Sequence, residues 1–98
     1  MNAAAAILTT AAALVSGDRN VSHGPLPTNM GNFAGLVSAY LTAKLQTPVA
    51  LDGADAAAIM VLSKLARTIT GTHNPDDFVD GAGYFAGMGA CRDVAASA

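Results

Sequence analysis

Two pairs of charged side chains in the C-terminal half of the chain have the types and spacing needed to bind a metal ion and a phosphate group. Asp77 and Asp80 are three residues apart, as are Lys64 and Arg67, so within a helix each pair shares one face. Mg²⁺ prefers carboxylate oxygens, whereas Arg binds phosphate through a planar fork and Lys as a point charge. The sequence therefore predicts Asp77 and Asp80 as metal ligands, with Lys64 and Arg67 binding the phosphates of a substrate.

The same four residues also have a purely structural interpretation, as two salt bridges between neighbouring helices. Exposed salt bridges of this kind contribute ~0–1 kcal/mol each. The residue types alone do not separate the two interpretations, and both are kept. His73 and Asn74 are close enough in the chain to join a site at this point.

A polar segment, SGDRNVSHGPLPTN, spans residues 16–29 with two glycines and two prolines, and predicts a long loop. Long loops often carry functional residues. We expect Asp18, Arg19 and His23, together with Asn29, to close the substrate site from this loop. The alternatives are that His23 is an ordinary surface residue and that Asn29 mainly caps the helix that follows.

Hydrophobic periodicity and helix-start signals predict an all-α, up-and-down four-helix arrangement with a C-terminal αα-hairpin. The predicted helices cover residues 3–15, 29–44, 52–70 and 74 onward. Asp52 with Asp55 forms one acidic capping pair, and Asn74 with Asp77 forms another. Apolar residues wrap more than half of the third helix, so we expect it to be central and the most buried.

The composition indicates a single small domain, residues 1–98, with a thin core. Just over half of the residues are apolar, but much of that share is alanine and only five residues are aromatic. Helices with Ala and Gly faces bury little area each, so we expect a homo-oligomer. Gly83 and Gly87 indicate a small-residue groove for close helix packing, within one copy or between two.

The same composition excludes several classes of protein. No basic patch indicates a nucleic-acid partner, and no stretch reaches the ~20 apolar residues that a membrane span requires. The single cysteine, Cys91, excludes an internal disulfide and is typical of a reducing compartment. We therefore expect a cytoplasmic protein, and we interpret Cys91 as a small core residue.

Four segments carry a resemblance to known sequences: GDRNVSHGPLPTN, NFAGLVSAYL, MVLSKLAR and HNPDDFVDGAGYFAGMG. From about Leu14 onward the chain resembles a family of small uncharacterised helical domains of phages and prophages. That family is similar, more loosely, to the MazG-like all-α NTP pyrophosphohydrolases, in which helix-borne carboxylates hold Mg²⁺ and an NTP is cut to NMP and pyrophosphate. Asp77-x-x-Asp80, followed by Gly83-Tyr84, resembles the second carboxylate pair of those enzymes.

The resemblance is incomplete in two places. The first carboxylate pair, normally two glutamates on a preceding helix, has no close match here, since the chain contains no Glu. The acidic residue that follows the Gly-Tyr turn of the helix is replaced by the region around Gly89 and Ala90. A member with these changes could bind a nucleotide without hydrolysing it.

Two functions from different classes follow. The leading one is a small phage-type protein that binds phosphate-bearing nucleotides and, if catalytic, is a Mg²⁺-dependent NTP pyrophosphohydrolase; the pattern identifies no catalytic residue. The alternative is a non-enzymatic oligomer whose Gly- and Ala-rich face binds itself or a host protein, for example in counter-defence. Convergence of the four charged residues and His23 on one cleft would favour the first.

Overall fold

A computed structural model describes residues 2–17 and 24–97, and within these ranges the chain forms four α-helices and no strand. The helices are α1 (Ala3–Ser16), α2 (Leu26–Leu45), α3 (Gly53–Arg67) and α4 (Pro75–Ser97). The predicted all-α, four-helix fold with a C-terminal αα-hairpin is confirmed. Three predicted site residues, Asp18, Arg19 and His23, lie outside the described residues.

Side-chain caps fix the starts of three helices. Asp52 Oδ1 accepts a hydrogen bond from the Asp55 amide at 2.9 Å, and Asp55 Oδ2 accepts one from the Asp52 amide at 3.0 Å. This reciprocal pair is the predicted capping box at the start of α3. Asn74 Oδ1 accepts from the Asp76 amide at 3.1 Å before α4, and Asn2 Oδ1 accepts from the Ala5 amide at 2.7 Å before α1.

Helix α2 begins three residues earlier than predicted. Its cap position is Pro25, which offers no side-chain hydrogen bond, and Pro27 lies in the first turn. The predicted cap, Asn29, is instead inside the helix, and its amide donates to the Pro25 carbonyl at 3.1 Å. The prediction was wrong because it treated both prolines as helix breakers, whereas the first turn of a helix needs no N–H donor and tolerates proline well.

The connection from α2 to α3 runs back along α2 in an extended conformation. Two hydroxyl groups of α2 hold it: Thr42 Oγ1 accepts from the Val49 amide at 2.9 Å, and Ser38 Oγ accepts from the Leu51 amide at 2.9 Å. These hydroxyls supply the acceptors that a neighbouring strand would otherwise provide. The segment therefore stays a connection, as its short length predicted, and it delivers α3 to the N-terminal half of α2.

Helix α4, and not α3, is the central element. Its largest interface is with α3, and it also contacts α1 and α2. Only the N-terminal half of α3 is buried, through Ala54, Ala56 and Ala57. Of the four helices, α3 still has the largest share of buried and half-buried residues, as predicted. The expectation that it is also the central helix was wrong, because its C-terminal half presents part of its apolar surface where no described helix packs.

The core is made of small side chains, as the composition predicted. Its buried cluster consists of Met30, Ala34, Ala54, Ala56, Ala57 and Cys91. None of the described residues with a large side chain is fully buried. The radius of gyration is 14.8 Å, compared with ~13 Å for a compact domain of this length, so the helices form an elongated arrangement with much of their surface open.

The glycines of α4 allow two other elements to approach its backbone closely. A Cβ atom at Gly83 would lie 3.4 Å from Val15 of α1, and one at Gly87 would overlap Leu26 at the start of α2. The predicted small-residue groove is therefore present, and it acts within one copy of the chain. None of the helices formed by the described residues is long and apolar enough to cross a bilayer.

Candidate functional site at the turn of the hairpin

The four predicted charged residues meet across the α3–α4 hairpin. Lys64 Nζ lies 3.3 Å from Asp80 Oδ2, and Arg67 Nε lies 3.2 Å from Asp77 Oδ1. The antiparallel packing of the two helices brings these pairs together, since residues before the turn of a hairpin face residues just after it. The structural interpretation, two salt bridges between helices, is confirmed; binding of a metal or phosphate by these residues stays a prediction.

Asp77 is the unusual member of this group. It is 6% exposed and is the one charged residue in the described part of the chain that is buried. Its Oδ1 atom is shielded from solvent and, although close to Arg67 Nε, accepts no hydrogen bond from any described residue. A buried carboxylate oxygen without a donor is costly, by ~1–3 kcal/mol or more for a charged group, so this position favours a further cation or donor.

A polar pocket of about 200 Å³ lies beside Asp77, between the end of α3 and the start of α4. Its lining consists of Thr68, Gly71, Thr72, His73, Asn74, Asp77 and Phe78. We call it the turn pocket. Gly71 has a φ of +83°, a conformation that side chains with a Cβ rarely adopt, so glycine at this position permits the tight reversal that forms the pocket.

Two rings and two hydroxyl groups give the turn pocket its chemical character. The rings of His73 and Phe78 are tilted by 35° with centroids 5.6 Å apart, a distance typical of an interacting aromatic pair. Thr68 Oγ1 donates to the Leu65 carbonyl at 2.7 Å, which satisfies the end of α3. The pocket therefore combines an aromatic surface with hydroxyl, amide and carboxylate groups, next to Arg67, whose side chain is 55% exposed.

The metal-binding capacity of this site is limited to two carboxylates. Among the described residues, no group of three or more His, Cys, Asp or Glu side chains could hold a metal ion. Two carboxylates suit Mg²⁺, which keeps several water ligands and is often bound through one or two carboxylates plus the phosphates of a substrate. Because the four charged side chains carry no net charge together, a polyphosphate would gain more from the site if it brought Mg²⁺.

Asn29, the fourth of the predicted loop-side residues, is not brought to this site. It lies two residues from Gly31, whose backbone nitrogen would be 3.4 Å from a Cβ atom at Gly53. Gly53 begins α3, and Lys64 lies 11 residues further along that helix, a distance of ~16 Å at 1.5 Å per residue. Asn29 therefore lies near the opposite end of the hairpin from Lys64 and Arg67.

At the other end of the hairpin lie Asp52 and Cys91, the two described residues whose pKa values are shifted. Burial raises the pKa of the Cys91 thiol above its usual 9.0, and the negative charge of Asp52 adds to that effect. Cys91 is 9% exposed and belongs to the core cluster, as predicted. A buried thiol that stays protonated is a poor nucleophile, so this end of the hairpin is structural.

Sequence reasoning missed an apolar groove next to the charged pairs. It has a volume of about 340 Å³ and its apolar walls include Val61, Leu65, Phe78 and Phe85. Phe78 and Phe85 are seven residues apart and so share one face of α4, a spacing that could have shown them to act together. The prediction instead assigned them no role, because periodicity shows which residues share a face but not whether another helix covers it.

The comparisons with known proteins identify a family without a described activity. A family model described as "Domain of unknown function (DUF6378)" matches residues 6–92. No curated protein and no solved structure matches the chain significantly.

Proposed function

The chain belongs to the DUF6378 family, a domain of unknown function that accounts for residues 6–92, and we propose that it binds a phosphate-bearing nucleotide at the turn of its αα-hairpin. In this proposal Asp77 and Asp80 would hold Mg²⁺, which would neutralise charge on the phosphates. Lys64 and Arg67 bind phosphate oxygens, and the turn pocket receives the remainder of the ligand.

The buried carboxylate of Asp77 is the observation that carries the proposal. A carboxylate used only for a surface salt bridge would be exposed, as most are, because solvent supplies its remaining hydrogen bonds. Asp77 is 6% exposed and its Oδ1 atom accepts no hydrogen bond from the described residues. A divalent cation at this position would supply the missing partner and would release Arg67 to bind phosphate.

The chemistry of the surrounding groups supports a nucleotide in preference to a simple anion. The pairs Lys64–Asp80 and Arg67–Asp77 lie one helical turn apart, so the site offers carboxylates for Mg²⁺ beside cations for phosphate oxygens. The His73–Phe78 ring pair offers an aromatic surface at the turn, and bases stack on such surfaces at ~1–3 kcal/mol each.

The resemblance to phage-type domains and to MazG-like enzymes adds a finer proposal. If the chain is catalytic, its reaction is the Mg²⁺-dependent cleavage of an NTP to NMP and pyrophosphate. This chain offers two carboxylates, whereas those enzymes use four, so we expect a lower affinity for Mg²⁺. We therefore propose nucleotide binding first, and hydrolysis only as a further step. The site of action would be the cytoplasm, where nucleotides and a reduced Cys91 coexist.

Thermal unfolding with ligands tests the proposal. The wild-type protein is heated with Mg²⁺ and each of a panel of NTPs and dNTPs, and the measurement is repeated on Asp77→Asn. A ligand at 100 times its Kd that binds only the folded state adds ~2.7 kcal/mol, which raises the Tm of a small domain by several degrees. We expect a Mg²⁺-dependent rise in the wild type that Asp77→Asn abolishes.

Asp76→Asn is the matched control, because Asp76 is the neighbouring carboxylate but is exposed and does not line the turn pocket. It should keep most of the rise in Tm. A wild-type Tm unchanged by every nucleotide would refute nucleotide binding, and a rise that survives in Asp77→Asn would refute this site. Where a rise is found, an assay for released pyrophosphate separates hydrolysis from binding.

A second candidate function, a non-enzymatic oligomer that binds a host protein, is supported by a different observation. Eleven large hydrophobic side chains of the described residues are exposed, more than a monomer of this size needs to show. This function requires neither Mg²⁺ nor a nucleotide, so the unfolding experiment distinguishes the two.

A further inference from the structure

One side of the α3–α4 hairpin is apolar and uncovered in the single chain. Its large exposed side chains are Leu62, Leu65, Ile69, Phe78 and Phe85, and we call this surface the hairpin face. Leu62 and Leu65 lie one turn apart on α3, Phe78 and Phe85 lie two turns apart on α4, and Ile69 follows the end of α3. Exposed fractions run from 43% for Phe78 to 77% for Ile69, so none of the five is covered by the rest of the described chain.

The hairpin face has the shape of a groove between two ridges. The apolar groove of about 340 Å³ runs between the helices, with Gly81 and Ala82 among its lining residues. A Cβ atom at Gly81 would touch only Lys64, at 3.8 Å, so the small residues leave room for a side chain from outside. Phe85 lies at the edge of this groove and is 65% exposed. The same residue of a second copy has the size and apolar character to fill the groove.

The charges along the hairpin face are segregated by helix. Lys64 and Arg67 lie on α3, whereas Asp76, Asp77 and Asp80 lie on α4. Because Lys64 pairs with Asp80 and Arg67 with Asp77 within one copy, the face presents no net charge from these four residues that would repel a second copy. A two-fold axis parallel to the two helices places α3 of each copy over α4 of the other. The same operation brings the two apolar grooves face to face.

We propose that a second copy of this chain packs on the hairpin face, so that the α3–α4 hairpins of two copies form an intermolecular four-helix bundle. The five exposed side chains then become the core of the bundle, with Phe85 of each copy in the groove of the other. The ion pairs Lys64–Asp80 and Arg67–Asp77 stay within each copy, and α3 of one copy lies over α4 of the other. Four-helix bundles bury apolar surface of this kind between antiparallel helices.

The area of the hairpin face fits a symmetric dimer. The exposed parts of its five side chains amount to on the order of 500 Å² per copy, taking ~200 Å² for a whole large side chain. Two copies would bury ~1,000 Å² from these side chains alone, which is the lower limit for a specific interface. A small ligand in the groove would leave Leu62 and Ile69 exposed, whereas a second copy covers all five.

The dimer and the proposed nucleotide site are neighbours and are tested through different residues. Thr68, Asp77 and Phe78 line both the groove and the turn pocket, whereas Leu65 and Phe85 line the groove alone. The dimer is therefore measured on purified protein without nucleotide or Mg²⁺, and its presence or absence leaves the nucleotide experiment to be judged separately.

Sedimentation equilibrium on the full chain tests the dimer, with Phe85→Asp and Leu65→Asp as interface variants. Both side chains are more than half exposed in the single chain, so these variants should keep the helical circular dichroism of the wild type. Each dimer carries the substitution twice, and we expect its Kd to rise by on the order of 100-fold or more. Leu36→Asp is the matched control, since Leu36 is 73% exposed on α2 and outside the hairpin face.

The expected result is a wild-type dimer that dissociates in Phe85→Asp and Leu65→Asp and persists in Leu36→Asp. A wild-type protein that stays monomeric would overturn the inference. So would a dimer that survives both interface substitutions, or one that Leu36→Asp alone dissociates, because the second copy would then occupy another surface.

Discussion

At the scale of single residues, local hydrogen bonds and long-range partners differ in how well a sequence predicts them. Asp52 and Asp55 form the predicted capping box because both partners lie within one helical turn. Asp77 was also predicted to bond back to its helix start, yet its carboxylate pairs with Arg67 of the neighbouring helix. The pairing could be anticipated once the hairpin was predicted, but the burial of Asp77 could not, since burial depends on how all the surrounding side chains pack.

Asp52 carries a pH prediction. The Asp55 amide donates to its carboxylate, which lowers the pKa of Asp52 below its ordinary 3.8, and Arg92 adds to that shift. A carboxyl with a lowered folded-state pKa stabilises the fold above its unfolded-state pKa and loses that contribution as the pH falls through the folded-state value. We expect Asp52→Asn to have a lower Tm than the wild type at neutral pH.

The difference in Tm should shrink as the pH falls below 3.8, the ordinary pKa of an Asp side chain, and vanish once the pH lies below the lowered pKa of Asp52, where its carboxyl is uncharged. Asn is itself a good cap residue and can accept the same hydrogen bond. The comparison of the wild type with Asp52→Asn therefore measures the effect of the Asp52 charge alone. Thermal unfolding of both proteins across this pH range is the measurement. A difference in Tm that does not change with pH would contradict the assignment.

At the scale of the elements, the helices follow from periodicity and start signals, whereas their packing depends on a few close approaches. Gly53 marks one of them, where α2, α3 and α4 meet. A Cβ atom at this position would lie 3.3 Å from Cys91 Sγ, 3.4 Å from the Gly31 nitrogen and 3.6 Å from Met30 Cβ. The contact with Cys91 Sγ is closer than an ordinary van der Waals contact, and Cys91 lies in the buried core cluster, where a side chain has little room to shift.

Gly53→Ala should therefore destabilise the protein, by ~1–3 kcal/mol as for other overpacked sites. Gly35→Ala is the matched control in α2, because a Cβ atom there would meet no described atom within 4 Å. Inside a helix, replacing Gly by Ala stabilises by ~0.5–1 kcal/mol, so the two variants should change stability in opposite directions. Urea unfolding measures both, and a stabilised Gly53→Ala would mean that the three helices are less closely packed.

At the scale of the whole molecule, the composition predicted the thin core but not its position. The apolar residues of the predicted third helix, 52–70, were expected to be buried, yet Leu62, Leu65 and Ile69 are 57–77% exposed. The reason is physical: a helix with apolar residues on several sides needs a neighbour on each side, and the sequence of one chain does not say whether a neighbour exists. Whether these exposed side chains are covered depends on a second molecule, which the sequence of one chain cannot show.

If two copies share the hairpin face, stability depends on protein concentration. The dimer is the better buried state, so mass action should raise the Tm as concentration rises. We expect the wild-type Tm to rise by several degrees over a roughly 100-fold range of concentration, and the Tm of Phe85→Asp to stay constant. Differential scanning calorimetry at several concentrations measures this, and a constant wild-type Tm would count against the dimer.

The pattern of contacts between the helices also determines how quickly the chain is expected to fold. The two largest interfaces, α3 with α4 and α2 with α3, join helices that are neighbours in the chain, so most contacts close short loops. Chains of such low contact order fold within microseconds to milliseconds. The exception is α1, whose Val15 reaches Gly83 on α4, 68 residues further along the chain. Closing that loop carries the largest entropic cost, so we expect α1 to dock last in folding and to detach first in unfolding.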